Sequence, residues 1–550
     1  MLRRILIAAG YCVGLLACQT PAPTASPASS SPDGQQRVGP PNLLLIVADD
    51  LGFTDLGAFG GEIATPHLDR LAYDGLRLTN FHTAPSCAPS RAMLMTGTDN
   101  HVAGMGSQGS LTTPLQSASR AYANRLLPEV PTVTEYLREL GYRNLAAAKW
   151  HLGKQAESLP NARAFDRSFV LLQGGGGHFD ATPLFESYGR STWLEDDAPV
   201  ALPADFYSSD YMTSKLIAYL EKGDSEQPWF AYLGYTAPHW PLQAPAAAMA
   251  PYADTYLDGW DALRERRMRG ARAAGVVPAH AQAVAFEPGM VAWDTLTPAR
   301  QRVESKKMQA YAGMVARLDA NVGKLLATLR ARGDLDNTVI VFLADNGAEG
   351  HDMETYGSNA EWLPATFDNS LDAIGTRASY VSLGPAWARA TAAPFRDSKS
   401  KMSEGGIRVP AFVHMPGGRR GINDAYMRIM DLAPTFIAMA GGELPQSMMG
   451  RSLVGALTGD GPGTAPYAPD EVIAAEAYGR RMAQRGHWKI LRQDPPYGTG
   501  EWQLYDLETD PGEQDDLSDE FPARRAELIN AWRDYADRVG VIDPEIAITY

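Results

Sequence analysis

Four places in this chain set ionisable or metal-binding side chains directly after a short apolar run. Residues 43–48 (LLLIVA) lead into Asp49 and Asp50, and residues 144–150 carry Lys149 just ahead of His151. Residues 229–235 are followed by Thr236, Ala237, Pro238 and His239, and residues 338–344 (TVIVFLA) by Asp345 and Asn346. Runs of this length suit buried strands of a parallel sheet, and in open α/β sheets ligands bind beyond the carboxyl ends of the strands. One polar cluster after a strand is usually a loop. Four of them, built from carboxylates, lysine and histidine, point to a site that binds charge and moves protons. A fifth candidate is Cys87, followed by Pro89, Ser90 and Arg91. Proline is tolerated in a first helical turn, so Cys87 is expected to open a helix, where an anion would meet free N–H groups and the positive end of the helix dipole.

The segment from Cys87 to Gly97 (CAPSRAMLMTG) resembles the sulfatase signature, C-x-P-S-R followed by x-x-L-x-T-G. The resemblance runs over residues 42–541. Gly141-Tyr142 through Lys154 is similar to the family's second signature. Thr236 to His239, Leu343 to Gly347, and Pro394-Phe395-Arg396 through Glu404-Gly405-Gly406 follow in family order. Gly450 to Leu453 and Leu504 to Leu507 with Asp510-Pro511 resemble its C-terminal region, while Tyr256, Gly259-Trp260-Asp261 and Arg264 are similar to the large bacterial arylsulfatases. On these motifs the chain is identified as a member of the formylglycine-dependent sulfatases, within the alkaline phosphatase superfamily. Two departures stand out: Ala148 where the family often has glycine, a change that should be tolerated, and Ser403 where relatives often carry histidine, which bears on leaving-group contacts and hence substrate choice.

The resemblance implies a role for each candidate. Cys87 is converted to Cα-formylglycine by a formylglycine-generating maturation enzyme, and the aldehyde hydrates to a gem-diol. Asp49, Asp50, Asp345 and Asn346 hold one Ca²⁺, with matured Cys87 offering it a hydroxyl. Their hard oxygen donors suit Ca²⁺ or, as second choice, Mg²⁺, and disfavour zinc. Arg91 orients the modified residue, and Lys149 and Lys399 face the sulfate oxygens. Lys399 fits the family spacing better than Lys401, standing three residues after Arg396 and five before Glu404. One gem-diol oxygen attacks sulfur while His239, helped by Lys399, protonates the departing alcohol. His151 then deprotonates the second hydroxyl, and the hemiacetal collapses to aldehyde and sulfate. The implied activity is arylsulfatase hydrolysis of a small-molecule sulfate ester. A phosphonate monoester or phosphodiester hydrolase of the same superfamily is the alternative, because tetrahedral anions of similar size fit one cation cage. A lipoprotein that merely binds sulfated ligands predicts a missing site position, and none is missing. The other eight histidines read as surface or structural.

These residues need a scaffold that gathers them from across 350 positions. Segments alternating strand-like and helix-like character imply an α/β fold: a large, mostly parallel (mixed) sheet sandwiched by helices. The spacing predicts helices over 132–140 and 308–332. After residue 394 the texture changes to a smaller C-terminal α+β subdomain with an antiparallel sheet, a helix over 426–440, β pieces near 487–491 and 502–505, and a last helix over 524–538. Residues 240–299 and 348–380 read as loop-rich insertions. The expected organisation is a signal peptide over 1–17, a disordered tether over 18–41, a catalytic domain over 42–393 and the subdomain over 394–550, which contributes Lys399.

Composition agrees with an enzyme body rather than a nucleic-acid binder. Of 550 residues 45% are hydrophobic, enough for a sizeable core, and 49 basic against 64 acidic side chains give a net charge of −15, which disfavours binding to phosphate backbones. Arg3 and Arg4 head an apolar run over 5–17 that is too short to span a bilayer and suits a signal-peptide core. Leu15-Leu16-Ala17-Cys18 resembles a bacterial lipobox, followed by a Pro/Ser/Ala-rich stretch that cannot fold alone. The implied location is the bacterial cell envelope, lipid-anchored through Cys18 at the outer membrane or periplasmic face, with a periplasmic or secreted form as the alternative. Membrane contact then comes only through that lipid. Of the three cysteines none is expected in a disulfide: Cys12 is removed, Cys18 carries lipid and Cys87 is modified.

Overall fold

Every residue of the strand Asn42–Ala48 is buried, as a segment covered on both faces must be. The computed structural model describes residues 39–223, 226–286, 290–459 and 465–550. The signal peptide, most of the tether, and Cys12 and Cys18 lie outside these residues.

Among the described residues twelve strands precede the C-terminal sheet: β1 Asn42–Ala48, β2 Leu76–Leu78, β3 Phe81–His82, β4 Arg143–Lys149, β5 Arg167–Leu171 and β6 Trp193–Glu195. They continue as β7 Ala198–Pro199, β8 Trp229–Gly234, β9 Thr338–Ala344, β10 Ala411–His414, β11 Gly421–Asn423 and β12 Met427–Arg428. Ten of them form one mixed sheet in the order β11-β2-β10-β9-β1-β8-β4-β5-β6-β7, and β12 pairs with β3 separately. The five central strands β9, β1, β8, β4 and β5 are mutually parallel, and β10 and β6 join their flanks antiparallel. The carboxyl ends of β9, β1, β8 and β4 therefore lie side by side. At roughly 4.8 Å per strand, four neighbours span only about 14 Å. All four expected polar clusters sit on that edge. Because β10 runs antiparallel to β9, the residues leading into it arrive at the same edge, which is how Lys399 reaches the others.

Ala148 shows how local packing accommodates a departure from the family pattern. It stands opposite Gly234 of β8 in the strand register, and a Cβ on Gly234 would lie 3.0 Å from that of Ala148. A glycine facing the methyl leaves it room.

Gly39–Tyr550 form one compact unit. Beyond residue 394 the chain first returns to the large sheet through β10 and β11, and a separate antiparallel sheet begins only at β13 Val472–Ala477, followed by β14 Arg480–Arg485, β15 Trp488–Arg492 and β16 Gln503–Asp506. The helix Pro522–Val539 packs Leu528, Trp532, Tyr535 and Val539 against Ala474, Ala483, Ile490 and Leu504 of that sheet.

Three elements differ from the pattern-based expectation. The helix expected from residue 308 begins at Pro298, capped by Thr297, whose hydroxyl accepts from Arg300 N. Its first turns are polar and carry no apolar period. The region 240–299 contains a 15-residue helix, Gly259–Ala273, whose buried face includes Arg267, a charge that interrupts the apolar pattern. The helix expected over 426–440 is confined to Leu432–Met439, because Met427 and Arg428 pair with Phe81 and His82.

Candidate active site

Cys87 opens the ten-residue helix Cys87–Thr96, after an extended Ser86. Its Sγ lies 3.3 Å from Asp49 Oδ1 and 3.6 Å from Asp50 Oδ1. Burial pushes the thiol well above its ordinary pKa despite Lys149 and Lys399 nearby, so an unmodified Cys87 would be a poor nucleophile.

Around it the carboxylates and cations interlock. Asp49 accepts from Lys149 Nζ through both oxygens, at 2.8 and 2.6 Å. Asp50 Oδ2 accepts from Lys399 Nζ at 2.8 Å, and Asp50 Oδ1 from Asn346 Nδ2 at 2.6 Å. Arg91 forks onto Asp345 Oδ2 through Nε at 2.9 Å and a terminal nitrogen at 2.8 Å, and its other terminal nitrogen donates to Lys149 O and Tyr232 Oη. Asp50 (φ 64°) and His151 (φ 58°) hold left-handed backbone, a strain of about 1–3 kcal/mol each that clusters at functional sites.

These residues fit a divalent cation. Asn346 directs Nδ2 at Asp50 Oδ1 and Gly347 O, which leaves its Oδ1 buried with no hydrogen-bond partner. A buried acceptor without a donor is costly unless something electropositive meets it. Burial also raises Asp49 to about 7 and Asp50 above its ordinary range, the state of crowded carboxylates short of positive charge. Asp345, by contrast, is held low against the effect of burial by Arg91, Lys149 and Lys399. The donor set Asp49, Asp50, Asp345 and Asn346 is hard oxygen throughout, suited to Ca²⁺ or Mg²⁺. Ligand atoms of Asp49, Asp50, Cys87 and His239 lie within 4.8 Å of one another, so His239 stands at the rim of that cluster.

The two histidines are placed differently. His239 Nδ1 lies 2.6 Å from Trp240 O, so that nitrogen must carry the hydrogen, and Nε2 turns to Asp50 Oδ2 at 3.6 Å. His151 is half-buried and packs on Gly174, where a Cβ would come within 2.6 Å of its ring. Burial, reinforced by nearby lysines, holds both imidazoles well below their ordinary pKa. Cys87, His151, His239 and Lys399 all line one cavity of about 90 Å³, whose walls include Phe185, Tyr188, Trp240, Tyr356 and Tyr550. Every expected site residue thus falls in one cluster.

Other candidates fall elsewhere. Ser403 hydrogen-bonds Asp397 at 2.5 Å and is not part of the cavity wall. Tyr256 donates to Glu62, and Trp260 packs edge-on against Trp293 and Trp387, so these family-like positions serve the insertion's packing. Lys401 turns to His351, Ser400 and the Tyr497 ring. Motif reading missed Glu349, whose Oε2 lies 3.2 Å from Lys399 Nζ, along with Tyr232 behind Arg91 and Tyr550 in the wall. Neither Glu349 nor Tyr550 is attached to a pattern in the sequence that could have found it.

Comparisons with known proteins show the family. The sulfatase family model matches residues 41–442, and a model for the C-terminal part of N-sulphoglucosamine sulphohydrolase matches residues 395–531. The chain belongs to the sulfatase family. This sulfatase is 37% identical to an uncharacterized sulfatase of Schizosaccharomyces pombe over 526 residues, 91% of this chain and 94% of that one. It is 38% identical to an arylsulfatase of Klebsiella aerogenes over 410 residues, 73% and 87% of the two chains. Among solved structures, Ps i-CgsB bound to k-i-k-neocarrahexaose superposes with a TM-score of 0.64 at 25% identity, covering 90% of this sulfatase and 93% of that chain.

Proposed function

We propose that this sulfatase hydrolyses aryl sulfate esters to a phenol and inorganic sulfate, using Cys87 matured to Cα-formylglycine and one Ca²⁺ held by Asp49, Asp50, Asp345 and Asn346. The observation that carries this reading is the wall of the cavity: Trp240, Tyr356, Phe185, Tyr188 and Tyr550 surround the approach to Cys87 and suit a flat aromatic group. The identity with the Klebsiella arylsulfatase supports it.

Bound there, the cation supplies polarisation of a sulfate oxygen and neutralises charge at sulfur. Maturation supplies a hydrated aldehyde in place of a protonated thiol. The chain's own residues do the rest. Lys149 and Lys399, fixed on Asp49 and Asp50, hold the ester's charged oxygens. Arg91 keeps Asp345 and the start of the Cys87 helix in register. His239, with Nδ1 committed to Trp240 O and the ring held neutral by burial, has only Nε2 with which to relay a proton to the departing phenol oxygen, a proton it must first take from the Lys399 ammonium that shares Asp50 Oδ2 with it. His151, kept neutral by burial and its cationic neighbours, is suited to accept a proton.

Mass analysis of the Cys87 peptide tests the maturation: the residue should be lighter by about 18 Da, the change from CH₂SH to CHO. An intact thiol in fully active protein would overturn the mechanism. Relative kcat/KM for 4-nitrophenyl sulfate and a matched aryl phosphonate monoester tests the substrate; a strong preference for the phosphonate would overturn the sulfate reading. The same proposal includes export and lipid attachment at Cys18, checked by labelling with a fatty acid analogue and by loss of the label in Cys18→Ala.

A further inference from the structure

Tyr550 lies about 150 residues from the nearest catalytic candidate in sequence, yet it borders the cavity over Cys87. Its hydroxyl donates to Glu349 Oε2 at 3.1 Å, and its ring stacks on His351 with centroids 4.7 Å apart and planes at 9°. Lys399 Nζ stands 6.0 Å from the ring centroid. The ring is nearly buried, at 7% exposure, and none of the residues that hold it belongs to a recognised motif.

The main chain there is held as firmly. Arg480 of β14 donates to Ser400 O, next to Lys399, and also to Ile548 O and Tyr550 O. Tyr497 donates to Thr549 O. One guanidinium therefore ties the loop carrying Lys399 to the segment carrying Tyr550, and it comes from the small antiparallel sheet. The sheet thus braces the wall from behind: Tyr550 lines the cavity, and Arg480 holds its main chain.

We propose that Tyr550 is a specificity-determining residue: its ring, held by Glu349 and His351 while Arg480 holds its main chain, forms the contact surface for the substrate's aryl group. This deepens the arylsulfatase reading and rests on it. Lys399 is anchored on Asp50 as well as on Glu349 Oε2, the oxygen it shares with the Tyr550 hydroxyl, so the Asp50 side of the cage for the sulfate group is separate from this wall.

That separation makes a test possible. KM for 4-nitrophenyl sulfate reports the cage and the wall together, whereas the inhibition constant of inorganic sulfate reports the cage alone; neither depends on the fraction of enzyme matured at Cys87. Tyr550→Ala should raise KM about two- to twelvefold, the worth of one aromatic contact, with the inhibition constant of sulfate changed by less than about twofold. Tyr550→Phe, which keeps the ring, should restore most of the KM. Tyr550→Leu, which keeps apolar volume without a π face, should behave like the alanine variant and replaces it if that folds poorly. An unchanged KM in the alanine or leucine variant would overturn the inference. So would KM and the sulfate constant rising together, because that marks a general distortion of the site. Failure of the wild type to turn over 4-nitrophenyl sulfate would instead remove the arylsulfatase reading and this inference with it.

Discussion

His101 joins the catalytic body to the C-terminal sheet through two buried acids, and replacing it should make stability less dependent on alkaline pH. Its Nδ1 lies 3.0 Å from Asp99 Oδ1 and its Nε2 2.8 Å from Glu476 Oε2, with the imidazole side chain at 0% exposure. Burial alone would lower its pKa; hydrogen bonds and charge from Asp99 and Glu476 outweigh that and raise it to about 9 from the ordinary 6.5. Protonation is thus favoured in the folded state. The stability this contributes is fully present below about pH 6.5 and is lost as pH rises through about 9. At ~1.4 kcal/mol for each tenfold gain in proton affinity, the contribution is about 3 kcal/mol. An independent route gives the same order, since breaking a buried charge pair costs ~3–5 kcal/mol.

The perturbation is His101→Gln, which keeps a hydrogen-bonding group but cannot carry charge. Tyr535 Oη still donates to Asp99 and Gly479 N to Glu476, so the acids retain partners. Urea unfolding of wild type and variant at about pH 6 and about pH 9.5 isolates the effect, because other titrating groups cancel between the two proteins. The variant should be less stable by about 3 kcal/mol at the lower pH, and the gap should close at the higher one. An equal gap at both values would refute the argument that a charged His101 is the pin.

Three further outcomes are expected. Chelation with EGTA should abolish turnover and Ca²⁺ should restore it; because burial raises Asp49 to about 7, protons compete for the site and calorimetric Ca²⁺ affinity should fall as pH drops through about 7. Affinity that does not change across that range would contradict the assigned donor set. Arg91→Lys loses the two-pronged contact with Asp345, and kcat should fall on the order of 10²-fold, the equivalent of ~3 kcal/mol for a buried ion pair, as steady-state kinetics corrected for maturation would show. Arg267→Met strands buried Asp55 together with Glu62 and should cost ~3–5 kcal/mol in urea unfolding; adding Asp55→Asn should recover part of that loss.

The parts of the site that could be read from sequence share one property: each is attached to a local pattern. Asp49 and Asp50, Asp345 and Asn346, and Lys149 with His151 end apolar runs, so strand prediction and ligand prediction coincide. Cys87 and Arg91 stand one helical turn apart in a motif whose proline marks a helix start. Lys399 was separable from Lys401 only by spacing to Arg396 and Glu404; the structure gives a physical difference, since Lys399 Nζ meets Asp50 while Lys401 turns to His351 and Tyr497. Arg267 hid the insertion helix because a buried arginine reads as a solvent-facing one until its carboxylate partners, Asp55 and Glu62, are known. Glu349 and Tyr550 have no local pattern. Their positions follow from chain segments about 200 residues apart meeting at one edge, and periodicity carries no information about that.

Strand direction explains why the meeting happens there. A purely parallel sheet would deliver only residues that follow strands to its carboxyl edge. The antiparallel β10 also delivers residues that precede one, and so places Lys399 against Asp50 without a long crossover. The loop before β10 has few strand hydrogen bonds of its own, and a lysine on it needs outside support. Arg480 gives that support from β14, binding Ser400 O on one side and Tyr550 O on the other. The small sheet therefore supports the reaction geometry: it braces Lys399, which, like Cys87 and Arg91 on their helix, does not follow a central parallel strand.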